Sequence, residues 1–480
     1  MQSGRRYWAD GTLVAGQQFE YRHDAIGNRT TGAWGGDERG QSLHWSTNTV
    51  NRLNQYTSRT VPPYLAVSGE AATNATVTLW WGTNEWAPVV RQGRYWYGEA
   101  QVNNRSGGVW VVVTNLGVVR GNPDRVQSEV RSDFVAQSPE TLIYDGDGNL
   151  VRDGRWVYSW DAENRLVRVM SYGASDRAGW RQVDGPYDAL GRRIRQTSYV
   201  LSNGVWVVTE DLKFVSDPVW FGRHIAELNA TNHAVVRSYV WALNLSETLD
   251  GAGGAGGLLW VRVAGGPASE THFVTYDGNG NVWQLLSAST GTEAARYEYG
   301  PFGEPLRATG PAAPFNPFRF STKRTDAATR LVLYEFRACS PSEGRWLNRD
   351  PAQEAGGCNL YGWVQNNTVG FYDLDGREIG GICPKCGQYK TGPWCANCAQ
   401  SPRPPAFCVY WRGFGKLMFR IDGPWCVWTA TLAVDVCGGK CPKTLSIERK
   451  IPLSPRWQLT VLLCLCPPGP EFTRCSGKAP

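Results

Sequence analysis

Residues 144–154 read YDGDGNLVRDG, and the rest of the chain follows from how this stretch folds. An aromatic and an Asp lead into loose positions, a Gly–Asn pair and a return to apolar residues. Gly and Asn accept positive φ at little cost, so the stretch predicts a strand, a tight turn and a returning strand. The same arrangement recurs as YRHDAIGNRTT from Tyr21, YSWDAENRLVRV from Tyr158 and YDALGRRIRQT from Tyr187. YDGNGNVWQLL from Tyr276 and YEYGPFGEPLRATG from Tyr297 complete the set. One copy would be an ordinary hairpin turn. Six copies predict an array, because one hairpin cannot bury its apolar face and stacked neighbours share a continuous sheet.

Composition points the same way. Trp, Tyr and Gly are plentiful, and no run of Ala, Leu, Glu and Lys of the kind that builds long helices occurs. Aromatic and β-branched residues parted by Gly, Asn and Asp predict an all-β protein. Residues 62–118 break the rhythm and predict a small inserted β-sandwich, from plain alternation in VSGEAATNATVTLWW and SGGVWVVVTNLGVV. GAGGAGG (251–257) has no Lys–Ser/Thr partner, which excludes a phosphate-binding loop and leaves a flexible loop or turn.

The 480-residue chain changes character near residue 377. From Glu378 onward it holds 13 basic and 5 acidic residues, a charge of +8, whereas the preceding part sums to −2. Eleven of the 13 cysteines also lie in this tail, so the body is not a disulfide framework. No apolar run approaches the ~18–20 residues of a bilayer span. The polar N-terminus shows no export signal and begins in mid-pattern, as expected for the C-terminal part of a larger product or a truncated gene.

The repeats resemble those of the RHS/YD-repeat proteins. The stretch NPFRFSTKRTDAATRLVLYEFRACSPSEGRWLNRDPAQEAGGCNLYGWVQNNTVGFYDLDG, ending at Gly376, is similar to the RHS-repeat-associated core domain. Its marks are PFRFSTK (317–323), GRWLNRDP (344–351), NLYGWVQNN (359–367) and YDLDG (372–376). The expected organisation is degenerate repeats over 1–61, the insert over 62–118, repeats over 119–296, the core domain over 297–377 and a variable Cys-rich domain over 378–480.

The resemblance implies a spiralling antiparallel β-sheet of hairpin repeats forming a shell or partial shell, closed by the core domain around a variable, often toxic, C-terminal segment. It also implies self-cleavage by an aspartyl-type pair with a nearby Arg, at positions matching Arg337, Asp350 and Asp373. Two carboxylates held close cannot both ionise comfortably, so one keeps a proton while the other acts as base. The base deprotonates a water, the acid protonates the leaving nitrogen, and an Arg orients the pair. Taken singly, each of the three is an ordinary turn or strand residue. The family closes on Asp-Pro-x-Gly-Leu and cuts after the Leu, which places the implied bond at Arg377–Glu378. Here Leu374 replaces the Pro and Arg377 the Leu, so the turn loses a fixed φ and a charge stands at an apolar place.

In the tail, CPKCGQYKTGPWCANC spaces Cys383, Cys386, Cys395 and Cys398 as C-x2-C-x8-C-x2-C. Two such knuckles can complete a tetrahedral Zn²⁺ site; paired disulfides or a redox C-x-x-C are the alternatives. Cys437, Cys441, Cys464 and Cys466 form a looser second set, open to metal or disulfides. All five His precede the junction, which excludes His-dependent nuclease or hydrolase chemistry in the tail. Its charge and Trp394, Tyr410, Trp411, Trp425 and Trp428 suit a nucleic-acid target as well as a small β core.

The leading reading is a shell protein, secreted or at the cell surface, that encloses and self-releases a cargo used in intercellular competition. An immunity protein and secretion machinery are its expected partners. A non-enzymatic adhesion or carbohydrate-binding repeat protein is the second reading. A degenerate remnant with a zinc-stabilised plug is the third.

Overall fold

The computed structural model describes residues 1–173, 179–220, 222–382, 389–391, 416–422, 425–433 and 444–452. The protein is all-β: the described residues form antiparallel strands and a few single-turn 3₁₀ segments. No helix among them is long and apolar enough to cross a membrane. Two compact units are present, 1–401 and 402–480.

The first unit is a meander of unusual length. Fourteen strands, from Ile143–Tyr144 to Pro305–Thr309, hydrogen-bond in sequence order within one sheet. A six-stranded sheet precedes it, running from Ser3–Tyr7 to Tyr56–Arg59 and closing on Glu140–Thr141. Between these, residues 64–135 form a three-stranded and a four-stranded sheet that share Leu79, Ala100, Val111, Val113 and Val135 as their buried centre.

The repeat turns explain the recurring Asp. Asp145 Oδ1 accepts from the Asn149 backbone N–H at 2.8 Å while its Oδ2 accepts from the Asn149 side chain at 2.9 Å. Asp24 with Asn28 and Asp277 with Asn281 repeat this pair of bonds. Asp161 and Asp188 instead bind the backbone and guanidinium of Arg165 and Arg192. Gly148, between the two ends of its turn, has φ +87°, which only Gly adopts cheaply. Neighbouring turns are tied together, since Asn149 Nδ2 also donates to Asn164 Oδ1 at 2.7 Å. Of the aromatics that lead into the six repeat turns, Tyr21, Tyr158 and Tyr297 are buried and Tyr144, Tyr187 and Tyr276 half-buried.

The core domain packs against both sheets. Phe302, Phe320, Val332, Tyr334, Trp346 and Trp363 meet Phe19 and Tyr21 of the six-stranded sheet. Leu331, Ala338 and Leu347 meet Leu150, Trp156, Tyr158 and Leu166 of the long sheet. Arg324 also reaches the long sheet, where it shares the fully buried Glu227 with Arg237 and the Tyr239 hydroxyl. Its short strands leave little regular secondary structure, so aromatic packing and such pairs hold it.

In the second unit, Lys416–Asp422, Trp425–Ala433 and Thr444–Pro452 form an antiparallel three-stranded sheet.

Candidate functional site

Arg337, Asp350 and Asp373 come from different short segments of the core domain and meet in its interior. Arg337 lies in the turn before Ala338–Ser340, where its carbonyl accepts from the Tyr334 N–H. Asp350 follows Arg345–Trp346, with its N–H bonded to the Leu360 carbonyl. Asp373 ends the strand Phe371–Asp373. Arg337 Nη2 is 2.9 Å from Asp350 Oδ2 and 3.7 Å from Asp373 Oδ2. One guanidinium nitrogen therefore touches both carboxylates, and Trp346 stacks on that guanidinium at 4.2 Å.

The two carboxylates differ. Asp373 is wholly enclosed, and burial pushes its pKa up to about 7 against the opposing pull of Arg337 and the Gly376 N–H. Its Oδ1 accepts from the Gly376 N–H at 2.6 Å, while Oδ2 has no hydrogen-bond donor. Asp350 is also raised by burial, with Arg337 and the Ala352 N–H opposing. It is the member nearer the guanidinium and the more accessible one. Asp373 can therefore keep a proton near neutral pH while Asp350 sits on the same guanidinium.

The segment carrying the Arg377–Glu378 bond is the tip of a hairpin. Phe371–Asp373 pairs antiparallel with Ile379–Ile382, Asp373 opposite Ile379, and the Leu374 N–H donates to the Glu378 carbonyl at 2.9 Å. Three successive carbonyls before the bond are each held by the core domain. Lys323 Nζ donates to the Leu374 carbonyl at 2.6 Å, and the Phe336 N–H to that of Asp375 at 3.0 Å. Arg337 Nε donates to the carbonyl of Gly376. A chain segment gripped at consecutive carbonyls is presented as a bound peptide would be.

Sequence reasoning missed Lys323, Glu335 and Gly253. Lys323 Nζ lies 3.0 Å from both Glu335 oxygens and 2.9 Å from the Gly253 carbonyl. GAGGAGG is not a free loop. It is a packed turn whose buried Ala252 and Ala255 lie against Tyr372 and Leu374. Gly253 has φ +59°, and a Cβ there would fall 2.1 Å from the Leu374 carbonyl oxygen, so the close approach requires Gly. Leu374, standing where the family has Pro, is held by this packing. The only available sequence signals were a Lys closing the PFRFSTK motif and a Gly-rich run inside a strand pattern.

Cys383, Cys386, Cys395 and Cys398, and the looser set Cys437, Cys441, Cys464 and Cys466, lie outside the described residues. Among the described residues no His, Cys, Asp and Glu are grouped to hold a metal ion.

No family model matches the chain. The chain is similar to the tRNA nuclease WapA of Bacillus subtilis (strain 168), 27% identical over 245 residues, covering 50% of this chain and 9% of that protein. It is 25% identical over 394 residues to the probable deoxyribonuclease RhsB of Dickeya dadantii (strain 3937), covering 79% of this chain and 22% of that one. Among solved structures, TcdB2-TccC3 aligns with 78% of this chain and 18% of its own, with TM-score 0.40 and 17% identity. The matches thus span less than a quarter of these longer relatives. The relatives are RHS- and Tc-type toxin proteins.

Proposed function

We propose, from the premise that this chain is an RHS-repeat protein with a C-terminal extension, that its core domain cuts the chain at Arg377–Glu378 and so frees the extension as a cargo. The observation that carries this is the single Arg337 guanidinium that touches both Asp350 and Asp373 while its Nε holds the carbonyl of Gly376, one residue before the bond. Asp350, nearer the cation and more open, is the base that takes a proton from water. That water's oxygen bonds to the Arg377 carbonyl carbon. Asp373, protonated near neutral pH, gives its proton to the departing nitrogen as the C–N bond breaks. The products are a carboxylic acid at Arg377, which releases its proton to solvent, and an amine at Glu378. The dyad keeps one proton, now on Asp350, and is reset when that proton is exchanged back to Asp373.

The test is intact mass under denaturing conditions, for the purified chain and for Asp350→Asn. A wild-type fragment beginning at Glu378, absent from a folded Asp350→Asn chain, supports the mechanism. An uncut wild-type chain, or equal cutting in both, overturns it.

The cargo is an antibacterial or anticellular effector acting on nucleic acid, secreted or displayed at the cell surface and neutralised at home by an immunity protein. Support comes from the +8 charge of residues 378–480 and from relatives whose names are nucleases. Four thiols of the set Cys383, Cys386, Cys395 and Cys398 are the right donors for one Zn²⁺, which would tie the two knuckles together. Elemental analysis of the full chain is expected to find one zinc per chain, lost in Cys383→Ser/Cys398→Ser. A metal-free wild-type chain would refute the site.

A further inference from the structure

Arg377 stands at a place where an apolar residue is usual, yet it has partners. Its guanidinium carbon lies 3.6 Å from the centre of the Phe336 ring. Its Nε and Nη2 are 3.1 and 2.7 Å from Asp375 Oδ2, and its backbone N–H is 2.9 Å from Asp375 Oδ1. A flat cation between an aromatic face and a carboxylate is the geometry by which proteins choose a guanidinium over other side chains. Phe336 also holds the Asp375 carbonyl, and the next residue, Arg337, holds that of Gly376. The seat for the side chain and the grip on the backbone thus come from two adjacent residues.

We infer that Phe336 and Asp375 form an arginine-reading seat, which sets both the identity of the residue before the cut and the register of the bond. The inference rests on the self-cutting reading given above. In it, Phe336 and Asp375 are positioning residues: they hold Arg377 and do not touch the water or the breaking bond. The Arg at position 377 is then a matter of specificity: the side chain there is the one that the Phe336–Asp375 seat fits.

The experiment is a double-mutant cycle on the full chain, read as the rate constant of appearance of the fragment starting at Glu378. Asp375→Asn keeps the acceptor for the Arg377 N–H but removes the charge that faces the guanidinium. The Asp375 charge also raises the pKa of Asp373, so Asp375→Asn alters cutting in any background. Only the difference between backgrounds reports the seat. In the Arg377 chain Asp375→Asn is expected to slow cutting about fivefold more than in the Arg377→Leu chain. Arg377→Lys, which keeps the charge but loses the planar fork, is expected to be cut more slowly than wild type. Equal factors in the two backgrounds, with wild type cut, overturn the seat and leave the cutting reading intact. An uncut wild-type chain overturns the cutting reading and the seat with it. Thermal melts of each variant separate a slowed reaction from a chain that has not folded.

Discussion

The Asp373→Asn chain is expected to be uncut and, at pH 8, more stable than its parent by up to about 4 kcal/mol. The sign follows from the raised pKa. Unfolded Asp loses its proton near 3.8, whereas buried Asp373 keeps it up to about 7. Below pH ~4 both states are protonated and the group costs nothing. As pH rises towards 7 the unfolded state releases its proton first, so wild-type stability falls by roughly 1.4 kcal/mol per unit. Above pH 7 the whole penalty is present, because a charged carboxylate then sits in the interior with Arg337 3.7 Å away and its Oδ2 without a donor. Asn has no proton to lose, and its Oδ1 still accepts from the Gly376 N–H. The comparison is best made with both chains carrying Asp350→Asn, so that neither is cut during the melt. A stability difference that does not grow between pH 4 and pH 8 would rule the account out. A site whose working form is less stable than its disabled form holds strain for a purpose, which fits chemistry better than scaffolding.

Glu227→Gln is expected to cost about 3–5 kcal/mol. Glu227 is fully buried, yet Arg324 and Arg237 together hold its pKa down to about 2 against the penalty of burial. Arg237 Nε donates to it at 2.6 Å, and the Tyr239 hydroxyl at 2.7 Å. Removing the charge leaves two enclosed cations, only one of which has another carboxylate: Arg237 also reaches Glu210 at 3.0 Å. Glu210→Gln is the control. That carboxylate is partly exposed to water, and its loss should cost no more than about 1 kcal/mol. Urea unfolding midpoints of the two variants check the contrast; similar midpoints would sink it. Because the Glu227 pKa is depressed, its stabilisation is complete above pH ~4.5 and fades as pH falls through about 2. Arg324 follows Lys323 in the chain, so a loosened pair here is expected to slow cutting as well.

The repeats were legible in the sequence because everything they need is local. Asp145, Gly148 and Asn149 make their bonds within five residues, and the same spelling produces the same turn elsewhere. Arg337, Asp350 and Asp373 were legible only through the register of a known family. Alone, each sits in an unremarkable turn, and their meeting depends on packing between segments 13 and 23 residues apart. Lys323 and Gly253 were not legible in their roles, since a Lys closing a motif and a Gly-rich run name no partner. They meet each other and Leu374 across gaps of 70 and 51 residues, and nothing local marks a Lys that will be buried or a Gly that must yield space. The Arg at 377 read as a mismatch for a similar reason, since Phe336 reaches it from forty-one positions away in the chain.

The hairpin around Arg377–Glu378 has one further consequence. Hydrolysis at its tip would sever the covalent chain but leave Phe371–Asp373 zipped to Ile379–Ile382. A nick is then not a discharge. The two fragments would comigrate in native conditions and part only when denatured or pulled, and their lifetime together would be set by peeling a short strand from its neighbour. The chemical clock and the mechanical clock run separately. A chain could sit fully nicked in storage, armed by its own proteolysis, and wait for traction from outside to draw the cargo away.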